Sequence, residues 1–146
     1  MIMGYPGNTD RFLTSWGVKQ AIDLEQPARV KVRQTRLEIM KKDMDASDAI
    51  RIQYASHYAQ ISNYWKYFIG QTRGLKRLKV YDRKKAEEDA FATWVNANDE
   101  RKKTYGTVLS DIAAAFAESD KTALVDVYFQ ECIFGIEINT LFLKNY

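Results

Sequence analysis

Apolar residues recur every three or four positions through most of this chain, and that spacing constrains the fold more than any other feature. It is the period of one face of an α-helix, whereas a half-buried β-strand alternates at every second residue. The 146 residues are 46% hydrophobic, which is enough to bury the core of one ordinary domain. There is no internal repeat, and only two prolines occur. We therefore expect an all-α, multi-helix bundle.

Residues with the chemistry of helix starts divide this pattern into segments. Candidate N-cap residues precede three of them: Thr14 or Ser15, Asp45 or Ser47, and Ser119 or Asp120. Pro27 suits the first turn of the second helix, where its missing N–H costs nothing. Gly70 and Gly74 mark a kink or a close crossing in the third. The expected helices cover residues 14–25, 27–44, 46–78, 82–95, 107–117 and 119–143.

The apolar positions also predict which face of each helix turns inward. The second helix is expected to be basic on its outside, with Arg29 and Arg33 among its exposed residues. The inner face of the fourth helix is expected to carry Ala86, Ala90, Phe91 and Trp94. The last helix is apolar nearly all round and is predicted to lie centrally or to pack on a missing partner, through Val125, Phe129, Cys132, Ile133, Ile136 and Phe142.

The two ends of the chain suggest a piece of a larger protein. The opening MIMGYPG predicts a short strand ended by a type II turn, with Pro6 and Gly7 at its central positions. A strand without a sheet is typical of an excised domain, so we assign 1–13 to the end of a preceding domain and 14–146 to the helical one. We expect neither a signal peptide nor a transmembrane span in this chain.

Metal, disulfide and nucleophile chemistry find little support in the composition. Cys132 is the single cysteine, which excludes an internal disulfide and suits a small buried thiol. His57 is the single histidine, so the usual zinc sites are excluded and we expect no metal and no cofactor. Its neighbour Ser56 points about 100° away on a helix, and no G-x-S-x-G motif occurs. We expect no catalytic residue here.

Two clusters of charge have simple explanations. Asp43, Asp45 and Asp48 lack the glycine and closing glutamate of a calcium loop, so we interpret them as helix-capping residues. The net charge is only +3, too slight to indicate a nucleic-acid partner. A basic segment could follow a phosphate backbone or form a solvated helix end beside Asp82, Glu87, Glu88 and Asp89; without a recognition motif we favour the second, for Arg73, Lys76, Arg77, Lys79, Arg83, Lys84 and Lys85.

The third helix carries two different stripes at helical spacing. The first is large and apolar and is predicted to be core: Ile50, Tyr54, Tyr58, Ile61, Trp65 and Ile69. The second is small or polar, so that another group can approach the backbone: Ser56, Ala59, Asn63 and Gly70. The amide of Asn63 offers both acceptor and donors without charge. It either bridges two helices or binds a ligand such as an amine or a peptide end.

Several stretches together resemble one enzyme family. GYPGNTDRF, LTS, RLEIMKKDMDASDAIRIQYAS and NYWKYFIGQTRGLKRL are similar to the bacterial serine dipeptidyl peptidases of the seven and eleven type. The resemblance is close over residues 4–80 and elsewhere extends only to helical character. It implies that this chain is the inserted α-helical domain that caps the active-site cleft. The catalytic histidine and aspartate would precede Met1, and the serine would follow Tyr146, in a chymotrypsin-like double barrel.

The resemblance also implies a role for Asn63, which matches the family's asparagine that holds the free amino terminus of the substrate. Two extended residues span about 7 Å, so an amine clamp at that distance from the nucleophile releases dipeptides. The implied partners are an oligopeptide substrate and the parent's double barrel, with a homodimer allowed, and no membrane or nucleic acid. The implied location of the parent is periplasmic, cell-surface or secreted. The competing hypothesis is a free-standing helical module that binds a protein partner.

Overall fold

The computed structural model describes residues 12–135, which are helical over most of their length and include no strand. The elements in chain order are α1 (Ser15–Gln20), a first π-helical segment (Ala21–Glu25), α2 (Gln26–Ala46), α3 (Asp48–Arg77), α4 (Val80–Asn96), α5 (Asp99–Tyr105), α6 (Val108–Phe129) and a second π-helical segment (Gln130–Phe134). The predicted all-α bundle is confirmed. The expected opening strand, the turn at Pro6 and Gly7, and the end of the last helix lie outside the described residues.

Two of the predicted helix starts are confirmed. The Thr14 hydroxyl accepts a hydrogen bond from the backbone N–H of Gly17, and the Ser47 hydroxyl accepts one from the N–H of Ile50. Each cap satisfies a donor that has no partner within its own helix. Pro27 lies in the first turn of α2, as expected. The first π-helical segment joins α1 to α2 without a break, so the helical path runs continuously from Ser15 to Ala46.

The later helix boundaries were predicted less well. Asn98 caps α5 by accepting from the N–H of Arg101, and this short helix was not expected. The predicted start at Ser119 or Asp120 is wrong, because α6 continues through both residues. Their side chains instead accept hydrogen bonds from the Gln20 amide, at 3.1 Å and 2.8 Å. They therefore tie α6 to α1 instead of beginning a helix.

Helices α2 and α3 form a long antiparallel hairpin. Gln26 donates to Gln71 at 2.7 Å near its open end, while Leu37 and Ile61 are buried farther along. The thirty residues of α3 span about 45 Å. A Cβ added at Gly70 or Gly74 would meet nothing within 4 Å, so the predicted close crossing is absent there.

The predicted core stripe of α3 is only partly buried. Ile61 is buried, but Tyr54 keeps 42% of its surface exposed, and Ile50, Tyr58, Trp65 and Ile69 are half-buried. The reason is that α3 packs mainly on α2, with small further contacts to α4 and the first π-helical segment. One neighbouring helix covers less of a stripe than a full bundle does.

A buried carboxylate joins α4 to the start of α1. The two oxygens of Glu88 accept hydrogen bonds from the backbone N–H of Ser15, at 2.7 Å, and from its hydroxyl, at 2.6 Å. Glu88 was expected to be solvated and is instead buried, as is Val95. The predicted inner face of α4 is wrong for Trp94, Ala86 and Ala90, which are exposed, whereas Phe91 is half-buried. The face of α4 that carries Glu88 turns inward because α4 packs against α1.

The end of α6 presents an apolar surface to solvent. Ala123 and Val127 are buried, whereas the exposed large side chains are Leu124, Val125, Tyr128, Phe129, Ile133 and Phe134. A central position for this helix is therefore wrong for the part that the structure describes. The prediction of a buried Cys132 is also wrong, because its thiol is exposed. Glu131 is buried, whereas Cys132, the next residue of the same turn, is exposed.

Candidate functional site

Asn63 lies in the middle of α3 on an open surface. It is exposed, as are Ser56, Ala59 and Gly70 of the same small-residue stripe. Its side chain makes no hydrogen bond to any residue of 12–135, and no helix of that range covers Gly70. Within the described residues, Asn63 therefore does not bridge two helices. Both its acceptor oxygen and its donor nitrogen are available to a further group.

Helix α3 supplies no acidic side chain close to Asn63. Among the thirty residues of α3, Asp48 alone is acidic, and it lies at the far end, where it pairs with Arg51 at 3.0 Å. Lys66 is exposed one turn beyond Asn63. An ammonium group held by the Asn63 oxygen would thus gain no charge compensation from this helix. A carboxylate supplied by another element would be needed to balance it.

Aromatic side chains surround the next turn of α3. Phe68 lies between Tyr64 and Tyr67, with ring centroids 6.5 Å and 5.3 Å away. Tyr67 also lines a cavity of about 700 Å³ between the first π-helical segment and α1, α2, α3, α4 and α6, which the sequence did not predict. Glu25 and Arg29 are among the charged groups of that cavity, and Asn63 does not line it.

A charged cluster behind these rings connects α2 to the end of α6. Glu131 is buried, and its Oε1 accepts from Arg29 at 3.1 Å and from Arg33 at 2.9 Å. Its Oε2 forms an ion pair with Arg33 Nε at 2.9 Å, without hydrogen-bond alignment. The same guanidinium of Arg33 lies 5.2 Å from the Tyr64 ring centroid and 5.5 Å from that of Phe68.

The predicted exposure of Arg29 and Arg33 is therefore wrong. Their side chains are only 20% and 17% exposed, because both turn toward Glu131. The signal for this cluster is present in the sequence. Two arginines four positions apart share one helix face, and a single glutamate interrupts the apolar run QECIFGI. A carboxylate in such a run requires a cationic partner when it is buried.

The remaining charged candidates behave as ordinary surface groups. Asp45 accepts from Lys41, and this hydrogen bond raises the pKa of Lys41 above its ordinary value. Residues 12–135 contain no group of three or more His, Cys, Asp or Glu that could hold a metal. His57, the single histidine, is half-buried on α3.

Two lysines of the basic segment, Lys84 and Lys85, form ion pairs within α4. Lys84 contacts Glu87 at 2.8 Å, and this hydrogen bond lowers the pKa of the Glu87 carboxyl. Lys85 contacts Asp89 at 2.5 Å, and the hydrogen bond raises the pKa of Lys85. These pairs agree with a solvated helix end at Lys84 and Lys85, and the absence of a nucleic-acid partner stays a prediction. No helix in the described part of the chain is both long and apolar enough to cross a membrane.

Comparison with known proteins gives a consistent family. The Peptidase S46 family model matches residues 1–144. Dipeptidyl-peptidase 7 of Porphyromonas gingivalis is 48% identical over 135 residues, which cover 92% of this chain and 19% of that protein. Dipeptidyl-peptidase 7 of Phocaeicola vulgatus is 40% identical over 144 residues, 98% of this chain and 20% of that protein.

A relative with a different name matches the same region. The Asp/Glu-specific dipeptidyl-peptidase of Flavobacterium psychrophilum is 36% identical over 133 residues, which cover 91% of this chain and 18% of that protein. The chain thus spans about a fifth of the length of the curated relatives it matches. A match over nearly the whole chain, together with these identities, shows that the chain belongs to the peptidase S46 family.

Proposed function

We propose that this chain is the helical cap domain of a dipeptidyl peptidase, and that Asn63 helps bind the free amino terminus of the peptide substrate. The observation that carries the proposal is the exposed amide of Asn63, which has no hydrogen-bond partner among residues 12–135 and lies on an open stripe of α3. A neutral amide oxygen accepts a charge-assisted hydrogen bond from an ammonium group. The balancing carboxylate would come from the parent protein outside this chain.

The names of the relatives support an amino-terminal role over a role in side-chain selection. Relatives called Dipeptidyl-peptidase 7 and Asp/Glu-specific dipeptidyl-peptidase both match this region. Only the second name states a side-chain preference, and both names denote dipeptidyl peptidases. A domain common to both is expected to serve the shared step, and measuring two residues from the substrate's amino end is such a step.

The exposed apolar end of α6 supports contact with a further protein surface. Val125 is 61% exposed and Phe134 is 54% exposed, which is costly for a free-standing domain. Because the chain spans only about a fifth of its relatives, the simplest covering surface is the rest of the same polypeptide. We assign this role to the catalytic double barrel, which would carry the serine, histidine and aspartate. A location outside the cytoplasm belongs to the same proposal.

The test is Asn63→Ala in the full-length peptidase, assayed on dipeptide reporters with free and with blocked amino groups. Losing a hydrogen bond to a charged group is expected to lower kcat/KM for the free amine about ten- to a hundredfold. Asn96→Ala is the matched control, since Asn96 is an exposed asparagine at the end of α4. Unchanged kinetics in a folded Asn63→Ala enzyme would refute the proposal.

A further inference from the structure

We infer that Glu131 is a positioning residue for Asn63, acting through Arg33 and the ring of Tyr64. The inference rests on the proposed function, because it concerns the placement of the same amide. It assigns a role to a carboxylate that is remote along the chain from α3. The contacts form a continuous path from Glu131 to Tyr64, the neighbour of Asn63 in the sequence.

The path begins at the Glu131 carboxylate, a buried charge that requires cationic partners. The Glu131 side chain is 3% exposed, and a desolvated carboxylate is strongly unfavourable without cationic partners. Arg29 and Arg33 supply two guanidinium groups, and Arg29 also donates to Gln130 at 2.9 Å. The three side chains therefore hold one another in a fixed arrangement between α2 and the second π-helical segment.

The path continues across the hairpin to α3. The guanidinium carbon of Arg33 lies 5.2 Å from the centroid of the Tyr64 ring, within the range of cation–π attraction. The Phe68 ring lies one turn further along α3. Its centroid is 5.5 Å from the guanidinium carbon of Arg33 and 5.7 Å from that of Arg29. Two successive turns of α3 are thus held by cations that the Glu131 carboxylate orients.

Apart from this clamp, α3 is held on α2 by Ile61, by half-buried side chains such as Trp65 and by the hydrogen bonds of Gln26. Ile61 is the one buried residue of the helix, and the stripe that carries Asn63 is open. Rotation or sliding of α3 on α2 would displace the Asn63 amide directly. An amine clamp is sensitive to such displacement, because a hydrogen bond to the substrate ammonium group weakens steeply as its length and angle depart from the optimum. The clamp on Tyr64 and Phe68 opposes that motion.

A purely stabilising contact between α2 and α6 would use the same atoms, so the test must separate the two roles. Loss of stability lowers the amount of folded enzyme and leaves KM unchanged. Misplacement of Asn63 raises KM for substrates with a free amino group and leaves kcat nearly intact. The ratio of the two parameters, measured on enzyme of verified fold, distinguishes them.

The experiment is Glu131→Gln in the full-length peptidase, with a free-amino dipeptide reporter. KM is expected to rise about three- to tenfold while kcat changes less than about twofold. Glu118→Gln is the control, because Glu118 is an exposed α6 carboxylate paired with Lys121 and should leave both parameters unchanged. Tyr64→Leu should reproduce the rise in KM, and Tyr64→Phe, which keeps the ring, should restore the wild-type value.

A double variant completes the test. If Glu131 acts through Asn63, Glu131→Gln combined with Asn63→Ala is no more impaired than Asn63→Ala alone. If the effects of the two substitutions multiply in the double variant, the inference is overturned. It is also overturned if KM is unchanged in both Glu131→Gln and Tyr64→Leu. If Glu131→Gln fails to fold, Arg33→Lys and Tyr64→Leu decide the question by the same readout. A failure of the proposed function is distinguishable, because Asn63→Ala alone would then have no effect.

Discussion

The base of the molecule and the outer arm of the hairpin are held together in different ways. The base comprises α1, the first π-helical segment, α4 and α6, and it buries Ser15, Val18 and Val127 to 2% exposure or less. The arm comprises residues 37–61, where Leu37 and Ile61 are the buried positions and both lie at its root. Its charged pairs are exposed and local.

The difference indicates that the two regions open independently. A region with few buried contacts has a low free energy of local opening, whereas a region with buried polar links opens only with the domain. Asn63 follows Ile61 by two positions and so lies where the arm joins the rest. The amide proposed to bind substrate thus lies at the boundary between a region that opens easily and one that opens only with the domain.

The largest expected effect is in the base, from Glu88→Ala. The variant leaves the buried N–H and hydroxyl of Ser15 without acceptors, which should lower the free energy of opening of α1 by about 2 to 4 kcal/mol. Hydrogen exchange of the α1 amides in the full-length enzyme measures it. Glu87→Ala, at an exposed neighbouring carboxylate, should leave α1 protected. Equal protection in both variants would contradict the assigned role of Glu88.

A smaller effect is expected in the arm, from Leu37→Ala. Removing this side chain should cost about 2 kcal/mol, the lower end for a buried leucine, because two helices can close partly around the space. Faster hydrogen exchange should be confined to residues 37–61. Val127→Ala is the matching truncation in the base. If Leu37→Ala also exposes the α1 amides, the two regions form one cooperative unit.

The smallest expected effect is at the connection between α3 and α4, from Lys79→Gly. Lys79 has φ 48° and ψ 45°, a left-handed conformation that glycine adopts without steric cost. The gain is partly offset by the greater freedom of glycine in the unfolded chain, so we expect a net stabilisation of about 0.5 kcal/mol. A small rise in Tm would show it.

The same substitution one turn earlier gives the opposite sign. Lys76 lies in the last turn of α3 with helical backbone angles, and Lys76→Gly should destabilise the helix by about 1 kcal/mol. A fall in Tm for both variants would mean that the positive φ of Lys79 carries no strain.

Local features of the fold could be predicted from the sequence, and long-range ones could not. The caps at Thr14 and Ser47 were predicted because a cap depends on residues within one turn. Asn98 gives the same signal, followed by Asp99 and Glu100, and the short helix it begins was nevertheless missed. The N-cap signal was therefore present in the sequence, but the helix that follows it was too short to be predicted.

Burial of carboxylates required information that periodicity does not contain. Glu88 is bonded to Ser15, 73 positions away, and Glu131 to Arg29, 102 positions away. The apolar run around Glu131 indicates that its carboxylate needs a cationic partner when buried, but nothing within a helical turn of either glutamate identifies the residue that bonds to it. The spacing of Asn63 with Ala59 and Gly70 predicted a stripe that another group can approach, and it left open whether that group is a second helix or a ligand. The role of Asn63 was indicated only by the resemblance, and it stays a prediction.

The first π-helical segment lets a continuous helical path hold about one residue more than an α-helix would. A turn closed by bonds to the fifth residue holds about one residue more than an α-helical turn, and each helical residue rotates the chain by about 100°. Deleting one residue from Ala21–Glu25 would therefore leave an α-helical turn there, with α1 still facing α4 and α2 still on α3. An in-frame loss of a single codon here would be tolerated better than the same loss inside α2, so this segment is where the chain length can vary.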